Sequence, residues 1–486
     1  MKKTKTNSNQ AHKGQGRILI DELTSKFAKA QDFIMKKHSL EDEDSLPYFY
    51  FESLIDLHFL NQYILPKIRA EHLDSAEEQL HELFQVEVFE SSSLEDLKDL
   101  LFSGKIIFIL PHKVVAINAG KLSIRLPEES SLETSIRGPK DGFVEDFLTN
   151  ISLVRRRLKT SSLSIEKYTI GKRSNTKVAL LYLDDVIDHR IITEVHKRLE
   201  KINVDILVSV HDLEQLIGDR PYSFFPGFDF TGRPDFVVEA LNQGRFALIV
   251  DGNPTVTFAP VNILLLTKSP EDSYIGYGFV SLERMIRMIG IMISAFLPGL
   301  WVSFSAYNVD QIPYLLLATV SVARFGLPFS APMEMFIVLF LFELFNEAGI
   351  RLPRAIGQTV AVLGGLIVGD AAIRAGLTSP TMLVVAAITY ISSFTLVNHS
   401  LSSAITILRF IILLLSTFLG LFGLLIGYIL TLIYFSSISS FGVPYLAPLA
   451  PISIKEVIKS LLKAPKSFYK SRTATTNPND STREGG

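Results

Sequence analysis

Cysteine is missing from all 486 residues, which excludes disulfides, thiolate zinc sites, iron–sulfur clusters, cysteine nucleophiles and lipoprotein attachment. Lysine is missing from residues 284–450, where 167 positions carry only seven arginines and five acids. So little charge over that length excludes a simple cytosolic enzyme. No apolar run of seven to fifteen residues follows the basic start, Met1 to Arg17, so no signal peptide is expected there. A disordered polar arm over 1–45 is the expectation instead. The phosphate-binding, dinucleotide-binding, zinc-protease and nucleophile-elbow motifs are all absent. What is present is a division by charge. Residues 1–283 hold 34 basic and 42 acidic side chains, and residues 451–486 hold seven and three. An acidic domain behind the arm argues against a nucleic-acid partner.

The acidic part reads as two α/β pieces, 46–137 and 138–283. In the first, apolar spacing predicts a helix over Phe49–Ile68 and a short helix over Ser93–Leu101 capped by Ser93. Lys105–Leu110 and Lys113–Ile117 read as strands. In the second, strand Val178–Leu183, helix Asp188–Ile202 and strand Val204–Val210 suggest a parallel pair with a right-handed crossover. Phe246–Val250 and Thr255–Ala259 form a hairpin or tight strand–turn–strand through Asp251 and Gly252. Chemistry is sparse. His189 and His196 share a helix without further ligands, so no metal site is expected. Asp184 and Asp185 suit capping of the next helix, and Arg155, Arg156 and Arg157 suit a solvated or salt-bridged face. No cofactor and no catalytic residue is expected.

The middle reads as a membrane domain over 284–450, all helical, with four to six segments. Met285–Phe304, Ile356–Ile373, Thr381–Val397 and Phe410–Phe435 are the firm spans; Ile312–Ala323 and Pro332–Phe345 are questionable. Arg284 and Arg287 put the start on the cytoplasmic side, and the lysines of the tail 451–486 put the end there too. Both ends inside requires an even number of crossings. Glu334, Glu343, Glu347, Arg351 and Arg354 are ionisable groups at membrane depth, readable as ion pairs or as a cation path. Arg324 and Arg409 are alternative partners across helices. Gly357, Ala361, Gly365 and Gly369 form a small-residue stripe that allows close helix approach. Thr359, Leu363, Leu366 and Asp370 lie on the other side, either as ordinary packing or facing a pore axis, with Val362 next round the helix. Without a pore, Asp370 would pair with Arg374 one turn on. In the tail, Ile454, Val457, Ile458 and Leu461 make an apolar face beside Lys455, Lys459 and Lys463, suiting a lipid surface.

Motifs recur in order along residues 135–450. They are Arg137-Gly138-Pro139, Arg233-Pro234-Asp235, Gly244-Arg245, Asp251-Gly252 with Pro254, and Ser269-Pro270-Glu271-Asp272. Further on come Glu347-Ala348-Gly349, Arg351-Leu352-Pro353, Ser379-Pro380 and Ser440 through Leu446. Together they resemble the A subunit of the spore germination receptors, the GerA family. That resemblance implies a protein of the inner spore membrane with a two-part soluble N-terminal domain facing the cytoplasm or spore core. Its implied partners are a transporter-like B subunit, a lipoprotein C subunit and further copies of itself, in a ring of five. The implied activity is a nutrient-gated cation channel that triggers germination. Gly232 stands where the family usually has Glu, and Asp370 where Gln is common. Arg233, Pro234 and Asp235 read as a structural joint, with Pro234 extending Arg233 and Asp235 capping the helix Phe236–Gln243. A secondary transporter and a membrane scaffold are the rival classes; a transporter would show inverted repeats, which are not evident here.

Overall fold

The structure, a computed structural model, describes residues 20–39, 45–68, 80, 86–89, 94–110, 113–120, 130, 133, 135–351, 369–465 and 471–482. The chain forms two compact units. The first takes residues 1–221, 228–260 and 470–486; the second takes 222–227 and 261–469.

In the first unit, strands β1 (Phe33–Ser39), β2 (Ser45–Phe51), β3 (Val86–Phe89), β4 (Lys105–Ile109) and β5 (Val114–Asn118) build a sheet in the order β1-β2-β4-β5-β3. Every pairing is antiparallel. The expected helix over Phe49–Ile68 fails at its start, because Ser45–Phe51 alternates between two apolar layers, as a strand covered on both faces must. Tyr48 and Tyr50 join Leu60, Ile64 and Phe108 on one side. Phe49 and Phe51 join Leu97, Leu101 and Ile107 on the other, under helix α1 (Leu94–Phe102). Helical turns occur only between Leu57 and Lys67. Ser93 lies outside the described residues.

The second sheet has β6 (Leu163–Ile170), β7 (Thr176–Leu183), β8 (Asp229–Thr231), β9 (Phe246–Val250) and β10 (Val256–Ala259) in the order β6-β7-β9-β10-β8. It too is antiparallel throughout, with β9 and β10 a hairpin as expected. Gly252 turns it with φ +80°, and its N–H donates to Glu145 O at 3.0 Å. The expected parallel pair is absent, since Val204–Ser209 is not a strand. Its alternating apolar residues face water, Ile206 56% and Val208 73% exposed. Its carbonyls at Val204 and Asp205 accept from the Lys172 and Arg173 amides. Ser209 then opens the helix Val210–Ile217 in a capping box with Asp212. β7 pairs instead with the distant β9.

Helices α2 (Phe147–Arg157), α3 (His189–Glu200), α4 (Val210–Ile217) and α5 (Pro234–Asn242) complete this unit. Asp188, not Asp184 or Asp185, caps α3; Asp184 pairs with Lys29 at 2.6 Å. Of the two alternatives for Arg155 the salt-bridged one holds, inside the unit and not on its surface. Arg155 is fully buried and paired with Asp32 at 2.7 Å, its guanidinium 4.6 Å above the Phe51 ring. Arg157 holds Asp141 at 2.5 Å, and His196 lies 2.9 Å from Glu166. No metal-binding cluster occurs among the described residues.

The second unit is helical: α6 (Tyr277–Ala306), α7 (Tyr314–Arg324), α8 (Ala331–Arg351), α9 (Pro380–Ser393), α10 (His399–Ser437) and α11 (Ile454–Leu461). Among the described residues, α6 and α10 are the helices long and apolar enough to cross a membrane. The uncharged run Phe410–Phe435 is not one straight span. Gly420 interrupts α10 with φ +59° and ψ −138°, and the second arm folds back so that Gly427 meets Ile412 and Leu415. Only glycine adopts that backbone cheaply. The first arm packs along α6 through Gly299 against Ile412 and Ser416. Val302, Met335, Leu339, Met382, Ala386 and Leu413 form the core joining α6, α8, α9 and α10.

Candidate functional site

Burying a charge among apolar helices is costly unless it is held, so the charged groups of the helical unit mark where structure or function demands them. Glu334 is fully buried in the first turn of α8. Its Oε2 accepts the Ser379 N–H at 3.1 Å, and its Oε1 lies 3.8 Å from Arg324 Nε. Ser379 is the N-cap of α9. The carboxylate therefore sits where two helix N-termini offer partial positive charge, with an arginine on its open side. Arg324 in turn donates to Ser305 O at 2.9 Å.

The other acids of the expected network are not gathered with it. Glu347 pairs with Arg351 at 2.5 Å on an exposed helix face. Asp370, expected as a pore candidate and not as part of that network, pairs with Arg374 at 2.8 Å, also exposed. Arg409 is buried and donates to Ser294 O and Ser294 Oγ, each at 2.9 Å. Gly369 is buried against Leu383 of α9, where an added Cβ would come within 3.2 Å. Arg354, Gly357, Thr359, Ala361, Val362, Leu363, Gly365 and Leu366 lie outside the described residues. Ser294 is not picked out by the sequence, and Ser379 is picked out only as part of the Ser379-Pro380 motif, not as a partner of Glu334.

A second polar cluster fixes the base of α6. Ser269 caps the turn Pro270–Ser273, accepting from the Glu271 N–H at 3.3 Å. That turn delivers a buried Asp272 to Arg284 at 2.9 Å and to Arg287 at 3.0 Å. Lys463, following α11, donates to Ile275 O at 2.9 Å and to Asp272 O. Lys459 is taken up by Glu456 at 3.3 Å. Two of the three expected lipid-facing lysines are thus committed to protein partners, while Ile454 and Ile458 remain exposed.

In the α/β unit, Arg233-Pro234-Asp235 opens α5, but Asp235 is not its cap. Pro234 is the first helical residue, and Asp235 grips the buried Arg233 guanidinium at 3.1 and 2.7 Å. Thr231 Oγ1 accepts the Arg233 N–H at 3.0 Å and donates to Glu133 at 2.5 Å. Burial pushes the Glu133 carboxyl above the usual range. Asp235→Ala strips a partner from a buried cation and should lower the unit's stability by about 2–3 kcal/mol in a thermal melt. A variant that melts normally yet fails to signal would make the motif a contact site instead.

The profile of the family described as Bacillus/Clostridium GerA spore germination protein matches residues 21–475. The spore germination protein XA of Bacillus anthracis is 43% identical over 443 residues, covering 90% of each chain. The spore germination protein KA of Bacillus subtilis (strain 168) is 32% identical over 477 residues, covering 96% of this chain and 87% of its own. Among solved structures, the N-terminal domain of the A subunit of the Bacillus megaterium spore germinant receptor GerK3 aligns at 24% identity. It covers 50% of this chain and 92% of that one, with a TM-score of 0.37, too loose a superposition to argue from. The profile runs through the α/β unit and the helical unit alike: this chain belongs to the Bacillus/Clostridium GerA spore germination protein family.

Proposed function

We propose that this chain is the A-type subunit of a nutrient-sensing germination receptor in the inner spore membrane. Its helical unit crosses that membrane six times and assembles, as a ring of five, into a cation channel opened by nutrient. The observation that carries the reading is the match of nearly the whole chain to proteins named for spore germination. The run of the helices supports six crossings. α6 and the first arm of α10 run the same way, since Gly290 lies near Thr395 and Gly299 near Ser416. α8 starts beside the end of α6, and Glu334 near its start meets Ser379 at the start of α9. α8 and α9 therefore start on the same side, and the proposal includes one further crossing between them. The second arm of α10 makes the last crossing.

On this reading the soluble module, divided near 137/138 from its second half and near 283/284 from the membrane, faces the cytoplasm or spore core. The tail after 450 lies on the same side. A transporter-like B subunit and a lipoprotein C subunit are the partners. Ile356–Ile373 lines the axis, with Leu363 and Leu366 closing the pore by dewetting and Asp370 favouring cations. Leu363→Ala should then give spores that leak ions and germinate without nutrient, scored as premature loss of refractility. If polar substitutions at Val362, Leu363 and Leu366 leave conductance unchanged in protein that still assembles, that helix is not the gate. Reconstituted A, B and C subunits that bind nutrient but pass no monovalent-cation current would reduce the role to a non-conducting subunit.

A further inference from the structure

One part of the fold is unused by any of this. Residues 471–482 belong to the α/β unit and lie on the edge made by the end of α5 and the start of α3. Where the segment meets it, that edge offers carbonyl and carboxylate acceptors. α5 ends there with carbonyls that no helical N–H can reach, and α3 begins there with the Asp188 carboxylate. Hydrogen bonds from Arg190 hold the Asp188 carboxyl down at about 2, so it stays an acceptor.

The segment supplies the matching donors. Arg472 Nε donates to Asn242 O at 2.9 Å, a cation placed at a helix C-terminus. Thr476 is buried, and its hydroxyl donates to Gln243 O at 2.8 Å. Asn477, in the left-handed region, donates to Asp188 Oδ2 at 3.2 Å. Asn479 donates its N–H to Val186 O at 2.9 Å and its side-chain amide to Ile187 O at 2.6 Å. The segment is closed on itself as a loop by a bridge between Ser471 and Thr482 and by Arg472 N–H to Ser481 O at 2.9 Å. Gly244, at φ +76°, leaves the room: a Cβ there would stand 3.3 Å from Thr476 Oγ1 and 3.5 Å from Pro478 Cβ. The family match stops at residue 475, before Thr476, Asn477 and Asn479.

We propose that the α5–α3 edge is a peptide-recognition site and that its occupant is this chain's own segment 471–482, docked reversibly as a strap. The proposal stands apart from the germination reading, because its tests need no nutrient and no current. The side chain of docked Arg472 is 11% exposed, so trypsin should cut after it slowly in the full-length protein. Asn479→Ala, which keeps the chain length, should speed that cleavage at least tenfold. A chain ending at 470 should lose hydrogen-exchange protection at residues 242–245 and at the first turn of α3. A synthetic 471–482 peptide added to it should restore protection, and the same peptide carrying Asn479→Ala should not. Added in excess to the intact protein, the unaltered peptide should displace the strap and expose Arg472 to trypsin. Equal cleavage of intact protein and Asn479→Ala would overturn the docking. Unchanged protection in the truncated chain, or a peptide that neither restores protection nor competes, would overturn the recognition site.

Discussion

Asp32→Ala should destabilise the α/β unit by about 3–5 kcal/mol, the largest loss expected of any single change in it. Asp32 and Arg155 are both 0% exposed. Arg155 reaches Asp32 with Nη2 at 2.7 Å and Nε at 3.4 Å, and Ser53 Oγ donates to the same carboxylate at 2.9 Å. Asp32 stands just before β1 in the first sheet, while Arg155 comes from α2 beside the second. The pair therefore joins the two halves of the unit, as does the bridge from Ala30 to Ile165. Removing the acid leaves a buried guanidinium with the Phe51 and Phe102 rings and the Leu163 carbonyl, 3.4 Å from Nη1, as compensation. The double change Asp32→Ala with Arg155→Leu should recover most of the loss, since no charge is then stranded. Denaturant titration of the three variants measures this directly. Additive effects in the double variant would mean that the two side chains do not act as a pair.

Gly423→Ala should do comparable damage to the helical unit. A Cβ at 423 would come within 2.1 Å of the Leu415 carbonyl oxygen in the facing arm of α10. A backbone oxygen cannot swing away as a side chain can, so the arms must part. Overpacking of this kind costs about 3 kcal/mol or more. Gly427 is the control: an added Cβ meets Ile412 and Leu415 side-chain carbons at 3.4 Å, an ordinary contact. After detergent extraction, Gly427→Ala should run as the parent protein does on size exclusion, while Gly423→Ala should be lost or aggregated. Matching profiles for the two would mean that the arms do not close so tightly at 423.

Local patterns were legible where one stretch carries the whole signal. The β9–β10 hairpin needed only two apolar runs about a turn containing Gly252, and α3 needed only its apolar spacing. The helix expected over Phe49–Ile68 failed at its start, where a strand covered on both faces loses the alternation that would betray it. The parallel crossover failed because Ile206 and Val208 look like a buried strand in sequence, yet nothing packs over them. Among the site residues, Glu334 stood out as an acid in an apolar helix, but its holders, Arg324 and Ser379, come from two other elements.

The sequence by itself determined that an acidic α/β part precedes a nearly uncharged helical part, because charge content and apolar length are properties of a stretch whatever it later touches. It also carried the ordered motifs that mark the family. Strand order, the reversal of α10 at Gly420, the partners of Arg155 and Glu334, and the seating of 471–482 on α5 and α3 were decided only in three dimensions. Each depends on which of several chemically equivalent partners is brought within about 3 Å, and hydrogen bonds and ion pairs fall away too steeply with distance for composition or spacing to choose among them.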